Sequence, residues 1–459
     1  MKTFLDLCSG IGAFRMAAER LGYKCLGYVE IDKFSRKSYE AIYDTTGEWT
    51  RWDIQKVTNE EWTAFQGKVD IIMAGFPCQA FSVAGKKLGF LDTRGTVFFE
   101  VARAIKYVSP KYFLLENVKN LISHDKGRTM DTIIHTLNDI GYTVDYTILN
   151  SKYFDVPQNR ERVYIVGMKD GPTEEWIIQG NNALAKSKRR ISSYGWAKTF
   201  NFSWPTNNVI TKQLVDILEP EENIPQNLYL SPEKTISLIE GILKRDERLG
   251  RTDAMRMLGL LNMKGQENIR RVYDPLGISP TLTTMNGGHR EPKILVAGNT
   301  NPSKRELSGQ VYRVENGLAP TLTTNKGESV KIAYCPIINP DKLEVRQNGR
   351  RLKSDGEEMF TLTAQDRHGV VIYDKPPTIY SYVVRKLTPR ECWRLQAFPD
   401  WVYERAAKTN SMSQLYKQAG NAVTVTVAEA ILRNLEDWIK KRKEKTKQGS
   451  SNKGNTIIR

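Results

Sequence analysis

The first 170 residues predict an α/β fold built on a mostly parallel sheet. Short apolar runs alternate there with helical patterns of about a dozen residues, which is the spacing of βαβ units. A glycine-bearing turn, Gly10-Ile11-Gly12, follows the first run, and Cys78 and Glu116 follow two later ones. Ligands bind such sheets at the carboxyl ends of the strands, which is where these residues fall.

Thr3 to Leu7 is the first strand candidate, and a helical stretch runs from the glycines to Leu21. Lys24 to Ile31 is strand-like and Lys33 to Tyr43 helix-like. Val69 to Ala74 reads as a buried strand. Thr96 to Val108 has helical spacing, with Val97, Val101, Ala104, Ile105 and Val108 on one face. Lys111 to Leu115 is a further strand, Met130 to Ile140 a helix, and Val163 to Gly167 closes the series.

After about Gly171 the character changes. Lys186-Ser187-Lys188-Arg189-Arg190 reads as a basic loop, and from there to about Tyr382 the chain is rich in Asn, Gly, Thr and Pro, with few long helical patterns. Thr-Leu-Thr recurs every 40 residues, beginning at Thr281, Thr321 and Thr361, each copy followed by glycine and polar residues. Three strand-turn units with polar tips are expected, either reading a ligand or simply supporting one another. Leu387 to Phe398 is helical again with Pro389 in its first turn, and Val425 to Lys443 carries an apolar stripe. The stretch from Lys440 onward is almost devoid of apolar residues and reads as a disordered basic tail.

The chain has 459 residues, 68 Lys and Arg against 52 Asp and Glu, and a formal charge of +16. Its length predicts two or three domains. With 40% hydrophobic and 26% charged residues it is not a mostly disordered chain. No apolar run reaches the ~18 residues of a membrane span, and the first residues are too short for a signal peptide, so an intracellular protein is expected. Five scattered cysteines without a CxxC, and four histidines, argue against a disulfide framework or a metal site. The positive excess points to a polyanionic partner.

Four constellations could carry chemistry. In Phe4–Phe14 a strand runs into Gly10-x-Gly12 at a helix start, where free N–H groups can meet a ligand. Glu30, 20 residues beyond Gly10, is placed to bind a ribose diol. The third glycine of a dinucleotide fingerprint is replaced by Arg15, so a plain strand-to-helix turn also fits. Cys78, in GFPCQAFS, follows a buried strand and is either a nucleophile or an inert core thiol. Glu116, in Glu116-Asn117-Val118, can be an acid catalyst if burial raises its pKa, or can merely close its strand. In Gln158-Asn159-Arg160-Glu161-Arg162 the two arginines point the same way in an extended segment and can orient an acid, bind phosphate or form a surface ion pair.

Together and in this order the segments resemble the C5-cytosine DNA methyltransferase family of prokaryotic and phage type. DLCSGIGAF at Asp6–Phe14, YVEID at Tyr28–Asp32 and Asp53-Ile54 resemble its cofactor segments. GFPCQAFSVAGKKLGFLDTRGTVFFEVARAI, Gly75–Ile105, resembles its catalytic loop, and ENVKN at Glu116–Asn120 and PQNRERVYIVG at Pro157–Gly167 follow in the family's order. RKLTPRECWRLQAFPD, Arg385–Asp400, and QAGNAVTVTVAEAI, Gln418–Ile431, are similar to its last two motifs. The resemblance spans about residues 1–170 and 385–435.

It implies a Rossmann-like class I methyltransferase domain over 1–185 and 385–439, with a target-recognition domain inserted over 186–384 and the tail over 440–459. It further implies DNA (cytosine-5-)-methyltransferase activity with S-adenosyl-L-methionine as methyl donor and S-adenosyl-L-homocysteine as product. Cys78 would attack carbon 6 of cytosine, Glu116 would serve ring nitrogen 3, and Arg162 with Arg160 would hold the base and Glu116 in register. Asp6, Gly10 and Gly12 would surround the methionine portion, Glu30 the ribose and Asp53 the adenine. Cys8, Phe14, Ile31, Ile54, Asn421 and Val423 complete the pocket. Many members have aromatic side chains at the positions of Cys8 and Ile31; this chain does not.

Double-stranded DNA is the implied partner, with the target cytosine flipped out of the stack. Gln79, Ser82, Lys86 and Lys87 of the catalytic loop would meet it, and Asn286, Arg290, Asn325, Lys326 and Arg367 at the repeat tips would read bases. A cytoplasmic monomer in a bacterial cell or phage-infected host is expected, alone or with a cognate restriction endonuclease. Two alternatives are a tRNA cytosine-5 methyltransferase and a catalytically inactive DNA-binding relative; the presence of both Cys78 and Glu116 opposes the latter.

Overall fold

The structure, a computed structural model, describes residues 2–77, 97–231, 234, 235, 238, 255–285, 290–297, 334–338, 368–372 and 382–453. They form two compact units. The first comprises Met1–Ile217, Leu276–Glu291 and Thr388–Arg459; the second comprises Leu218–Pro275 and Pro292–Leu387.

The first unit is built on seven strands: β1 (Thr3–Leu7), β2 (Lys24–Val29), β3 (Trp49–Arg51), β4 (Ile71–Gly75), β5 (Tyr112–Val118), β6 (Tyr142–Asn150) and β7 (Glu161–Lys169), in the order β3-β2-β1-β4-β5-β7-β6. The first five run parallel, and β7 is antiparallel to both its neighbours. Helices α1 (Ala13–Arg20), α2 (Lys33–Ile42), α3 (Asn59–Thr63), α4 (Val97–Val108), α5 (Arg128–Asp139) and α6 (Ala183–Ser192) pack with the sheet. Alternation along the strands sends Leu5, Leu7, Ile72, Ala74, Phe113 and Leu115 into one core with Val101, Ile105 and Val108 of α4 and Ile133 and Leu137 of α5. That shared face is the apolar stripe expected from the spacing of Val97–Val108.

The chain then returns as α7 (Pro389–Arg394), α8 (Asp400–Ala407), α9 (Met412–Asn421) and α10 (Val425–Lys453). Thr388 and Glu391 form a reciprocal capping box at α7, with Pro389 in the first turn, where a missing N–H costs nothing. α10 lies against α1, where Arg20 pairs with Glu429, and it also pairs through Glu436 with Lys2, just before β1.

In the second unit β8 (Met257–Leu260), β9 (Arg271–Tyr273), β10 (Lys293–Ala297) and β13 (Tyr382–Lys386) form a four-stranded sheet ordered β13-β10-β9-β8. Its core is Leu238, Leu261, Val272 and Val384. A buried Arg385–Glu221 pair at 2.8 Å braces it. β11 (Tyr334–Ile338) and β12 (His368–Ile372) form a separate antiparallel pair.

Several expectations are corrected. The basic segment 186–190 lies in helix α6, not a loop: Lys188 reaches Asp145 in β6 at 2.6 Å and Arg190 reaches Asp131 at 2.9 Å. Residues 186–217 therefore pack with the first unit, as do 276–291, while 385–387 pack with the second. The first Thr-Leu-Thr copy is not a strand, because side chains and carbonyls of the first unit hold it as irregular backbone. The copies at Thr321 and Thr361 lie outside the described residues. Helix α10 continues to Lys453, through residues 440–453 of the stretch expected to be disordered; 454–459 lie outside the described residues. Lys, Arg, Glu and Gln are good helix formers, and a helix already nucleated by its apolar stripe propagates through them.

Candidate active site

The turn after β1 is tightly specified. Cys8, Gly10 and Gly12 all have left-handed backbone, with φ of 52°, 56° and 81°. Gly12 caps α1, and a Cβ there would lie 2.4 Å from the Tyr43 ring, whose hydroxyl donates to the Gly12 carbonyl at 2.7 Å. Glu30, just beyond β2, accepts from the Gly10 N–H through one carboxylate oxygen and from the Asp32 N–H through the other, both at 2.7 Å. Burial raises its pKa, and the two N–H bonds oppose that shift.

Asp6 is fully buried. The Tyr39 hydroxyl donates to its Oδ2 at 3.3 Å, while Oδ1 and the nearby Ser9 Oγ find no partner among the described residues. Burial pushes the Asp6 pKa well up, against the pull of Arg15. Arg15, standing where a third glycine was looked for, is buried. It pairs with Glu48 and Glu19, each at 2.7 Å, and its guanidinium lies over the Tyr43 ring at 4.5 Å. Asp53 caps a short 3-10 turn by accepting from the Gln55 N–H at 3.0 Å, and Ile54 beside it is buried. Ile31 is exposed.

A second cluster gathers at the ends of β4 and β5. Gly75 pairs in register with Glu116. A Cβ on Gly75 would lie 3.5 Å from Glu116 Oε2, 3.5 Å from Val423 and 3.9 Å from Phe14. Acid, apolar side chain and aromatic ring thus converge where the chain leaves β4 toward Cys78. Asn117 Nδ2 donates to the Phe76 carbonyl at 2.8 Å and ties that departing segment to β5. Cys78 itself lies outside the described residues, as do Gln79, Ser82, Lys86, Lys87, Asn286, Asn325, Lys326 and Arg367. Arg290 is described and exposed, and Asn421 is exposed at the end of α9.

Arg162 Nε sits 3.2 Å from Glu116 Oε1. Burial raises the Glu116 pKa, and Arg162 and Arg160 oppose the rise. The two arginines were expected to share one task, but their hydrogen bonds differ. Arg160 donates to the carbonyls of Ala422 at 2.7 Å, Gly420 at 3.2 Å and Leu282 at 3.4 Å. Burial first, and then Arg162, pushes its pKa down to about 9. It acts on Glu116 only through space, while its guanidinium joins three chain segments.

Sequence reasoning missed what holds these groups. The first Thr-Leu-Thr copy lies along the 157–160 loop: Asn159 N–H donates to the Ser279 carbonyl at 2.9 Å and Thr281 Oγ1 to the Asn159 carbonyl at 2.6 Å. Gln158 is buried beneath it and accepts from Gln396 Nε2 at 3.4 Å; its own Nε2 has no partner among the described residues. No local pattern flags Tyr39 or Tyr43, and the motifs that contain Asn117 and Gln158 do not reveal their partners Phe76 and Gln396, which are distant in sequence. Among the described residues there is no cluster of three His, Cys, Asp or Glu able to hold a metal, and no helix long and apolar enough to cross a membrane.

The site therefore offers two linked capabilities. The glycine turn with Glu30 and the partnerless Asp6 Oδ1 suits a ligand carrying hydroxyls and a cation, and Glu116 is a carboxyl poised to hold or share a proton. The family profile described as "C-5 cytosine-specific DNA methylase" matches residues 2–437. The chain is 42% identical to the orphan methyltransferase M.Rho11sI of Bacillus phage rho11s, over 94% of this chain and 97% of that one. It is 40% identical to the orphan methyltransferase M.SPRI of Bacillus phage SPR (94% and 96% covered) and 32% identical to the type II methyltransferase M.BanI of Aneurinibacillus aneurinilyticus (94% and 95%). The solved structure of the S. pombe Dnmt2 methyltransferase shares the fold at a TM-score of 0.52 and 15% identity, over 96% of this chain and all of that one.

Proposed function

The chain belongs to the C-5 cytosine-specific DNA methylase family and has its Rossmann-like fold, and from that premise we propose that it methylates carbon 5 of a flipped-out cytosine in a specific duplex sequence through a covalent adduct at Cys78. The observation that carries this reading is the buried Glu116 carboxyl, 3.2 Å from Arg162, at the strand end adjoining the segment that leads to Cys78.

Carbon 5 of cytosine is a weak nucleophile. Addition of the Cys78 thiolate to carbon 6 forms a C–S bond and drives the electron pair into the ring, making carbon 5 enamine-like. Glu116, its pKa raised by burial, holds a proton against ring nitrogen 3, where the negative charge develops. Arg162 fixes that carboxyl's orientation. Arg160 holds Leu282, Gly420 and Ala422 together behind it and contributes field rather than contact. Once carbon 5 carries the methyl group, water takes the carbon-5 proton, the C–H pair re-forms the C5–C6 double bond, the C–S pair returns to sulfur and the product is freed.

The residues present fit S-adenosylmethionine. Partnerless Asp6 Oδ1 and Ser9 Oγ suit its ammonium group, the Gly10-x-Gly12 turn its close approach, and Glu30 its ribose diol. Asp53, Ile54, Phe14 and Val423 would complete the pocket, with Cys8, Ile31 and Asn421 at its margin. When bound, it supplies an electrophilic methyl group.

In this proposal the second unit reads duplex DNA, Arg290 of the first unit is a further base contact, and the segment bearing Gln79, Ser82, Lys86 and Lys87 contacts the target strand. Similarity to phage enzymes named as orphan methyltransferases supports action without a companion nuclease. The proposal takes the protein to act as a monomer inside a bacterial cell or phage-infected host. Transfer of labelled methyl from S-adenosylmethionine to duplex DNA, followed by nucleoside analysis and mapping, tests the reading. It expects 5-methylcytosine in a short sequence context, lost in Cys78→Ala with cofactor binding retained. Label found only in tRNA, or full activity in Cys78→Ala, would overturn it.

A further inference from the structure

Two large apolar side chains stand out at the carboxyl edge of the first unit's sheet. Ile31, after β2, is 72% exposed and Trp52, after β3, is 68% exposed. The two strands are parallel, with Val29 opposite Arg51, and the Glu30 N–H donates to the Arg51 carbonyl, so the chains leave the sheet side by side. Arg36 locks the pair together. Its Nη1 donates to the carbonyls of Glu30 at 2.9 Å and Ile31 at 2.8 Å, and its guanidinium carbon lies 5.0 Å from the Trp52 ring centroid.

Through Arg36 the ring is linked to the backbone of Glu30 and Ile31, and Trp52 immediately precedes Asp53 in the chain; Glu30 and Asp53 are the two acids assigned above to ribose and adenine. A free indole held by a cation on one face is a ready stacking platform, and leaving it in water forgoes the gain from burial. The residues at Cys8 and Ile31 supply no aromatic surface for a flat base. We propose that Trp52 is the aromatic stacking surface for the adenine ring of the cofactor, with Ile31 as its apolar neighbour and Arg36 as the residue that positions it.

This rests on the S-adenosylmethionine reading, and the test separates the two. Binding of S-adenosylhomocysteine and of S-ribosylhomocysteine, which lacks only the base, is measured by calorimetry for wild type, Trp52→Ala and Trp52→Phe. Trp52→Ala should weaken S-adenosylhomocysteine binding about 5- to 100-fold while leaving S-ribosylhomocysteine unchanged. Trp52→Phe should stay within about threefold of wild type. Quenching of tryptophan emission on S-adenosylhomocysteine binding should shrink in Trp52→Phe. Equal S-adenosylhomocysteine affinity in wild type and Trp52→Ala would overturn the assignment, as would equal weakening of both ligands, which would make Trp52 scaffold only. If wild-type protein bound neither ligand, the cofactor reading would fall and take this proposal with it.

Discussion

Arg160 and Ala422, 262 residues apart in the chain, are joined by a 2.7 Å hydrogen bond from a buried guanidinium to a buried carbonyl. The same side chain also reaches Gly420 and Leu282. Arg160→Met keeps the volume but leaves three carbonyls without their donor. An unsatisfied buried carbonyl costs roughly 1–3 kcal/mol, partly relieved by relaxation, so a total loss of about 2–5 kcal/mol is expected. Urea unfolding checks it: an unchanged midpoint would mean that water replaces the guanidinium at no cost. Arg162→Met, by contrast, should act mainly on catalysis, because its only described carboxylate partner is Glu116.

Glu116 yields a pH prediction with a definite sign. Its folded pKa is raised, chiefly by burial. The neutral carboxyl's stabilising contribution is full below Glu's ordinary value, about 4.3, and is lost as pH rises through the raised value. Glu116→Gln stays neutral at every pH. The variant's stability relative to wild type should therefore climb above about pH 4 and level off once wild-type Glu116 is ionised. Urea midpoints measured between pH 4 and 8 test this, and a flat difference would show that the carboxyl titrates as if in water. Methyl transfer by the same variant should fall by about 10²- to 10⁴-fold.

Much of this architecture was legible because it is written locally. The stripe Val97–Val108, the helix opened by Pro389 and the strand-glycine-helix turn at Gly10 each draw on residues within a few positions of one another. Gly10 and Glu30, 20 residues apart, also meet, the Gly10 N–H donating to the Glu30 carboxylate, because a strand and a helix of ordinary length fill the interval between them. What escaped needed distant partners. β6 was hidden by Asp145 in its middle, an acid that looks wrong for a buried strand until Lys188, Phe202 and Trp204 arrive from beyond residue 180. Lys188 and Arg190 looked like a solvated basic loop for the same reason. Arg160 and Arg162 share a sequence pattern, and only packing distinguishes a staple from a carboxylate partner.

The Asp145 cluster is testable by itself. Its Oδ1 accepts from Lys188 at 2.6 Å and from the Tyr146 N–H at 2.8 Å; its Oδ2 accepts from the Phe202 N–H at 2.9 Å and Trp204 Nε1 at 2.8 Å. Asp145→Ala strands a mostly buried ammonium and three donors, with an expected cost of about 3–5 kcal/mol. Adding Lys188→Met should recover part of that loss, because the charge that remained uncompensated is gone. If the double variant were no more stable than Asp145→Ala, the ion pair would not be the main element of the cluster.

Gly420 offers a test in which two effects have opposite signs. It lies inside helix α9, where alanine is normally better than glycine by roughly 0.8–1 kcal/mol. A Cβ at this position, however, would fall 1.9 Å from the Thr283 carbonyl oxygen and 2.5 Å from its carbon, both backbone atoms that cannot swing aside. Overpacking of this kind costs about 1–3 kcal/mol or displaces the neighbour. Gly420→Ala should therefore destabilise the protein, or free the 276–291 segment, despite its better helix propensity. Thermal unfolding reads the first outcome, and faster proteolytic cleavage within 276–291 reads the second. A variant more stable than wild type, with unchanged cleavage, would mean that the first Thr-Leu-Thr copy does not rest against α9 in solution.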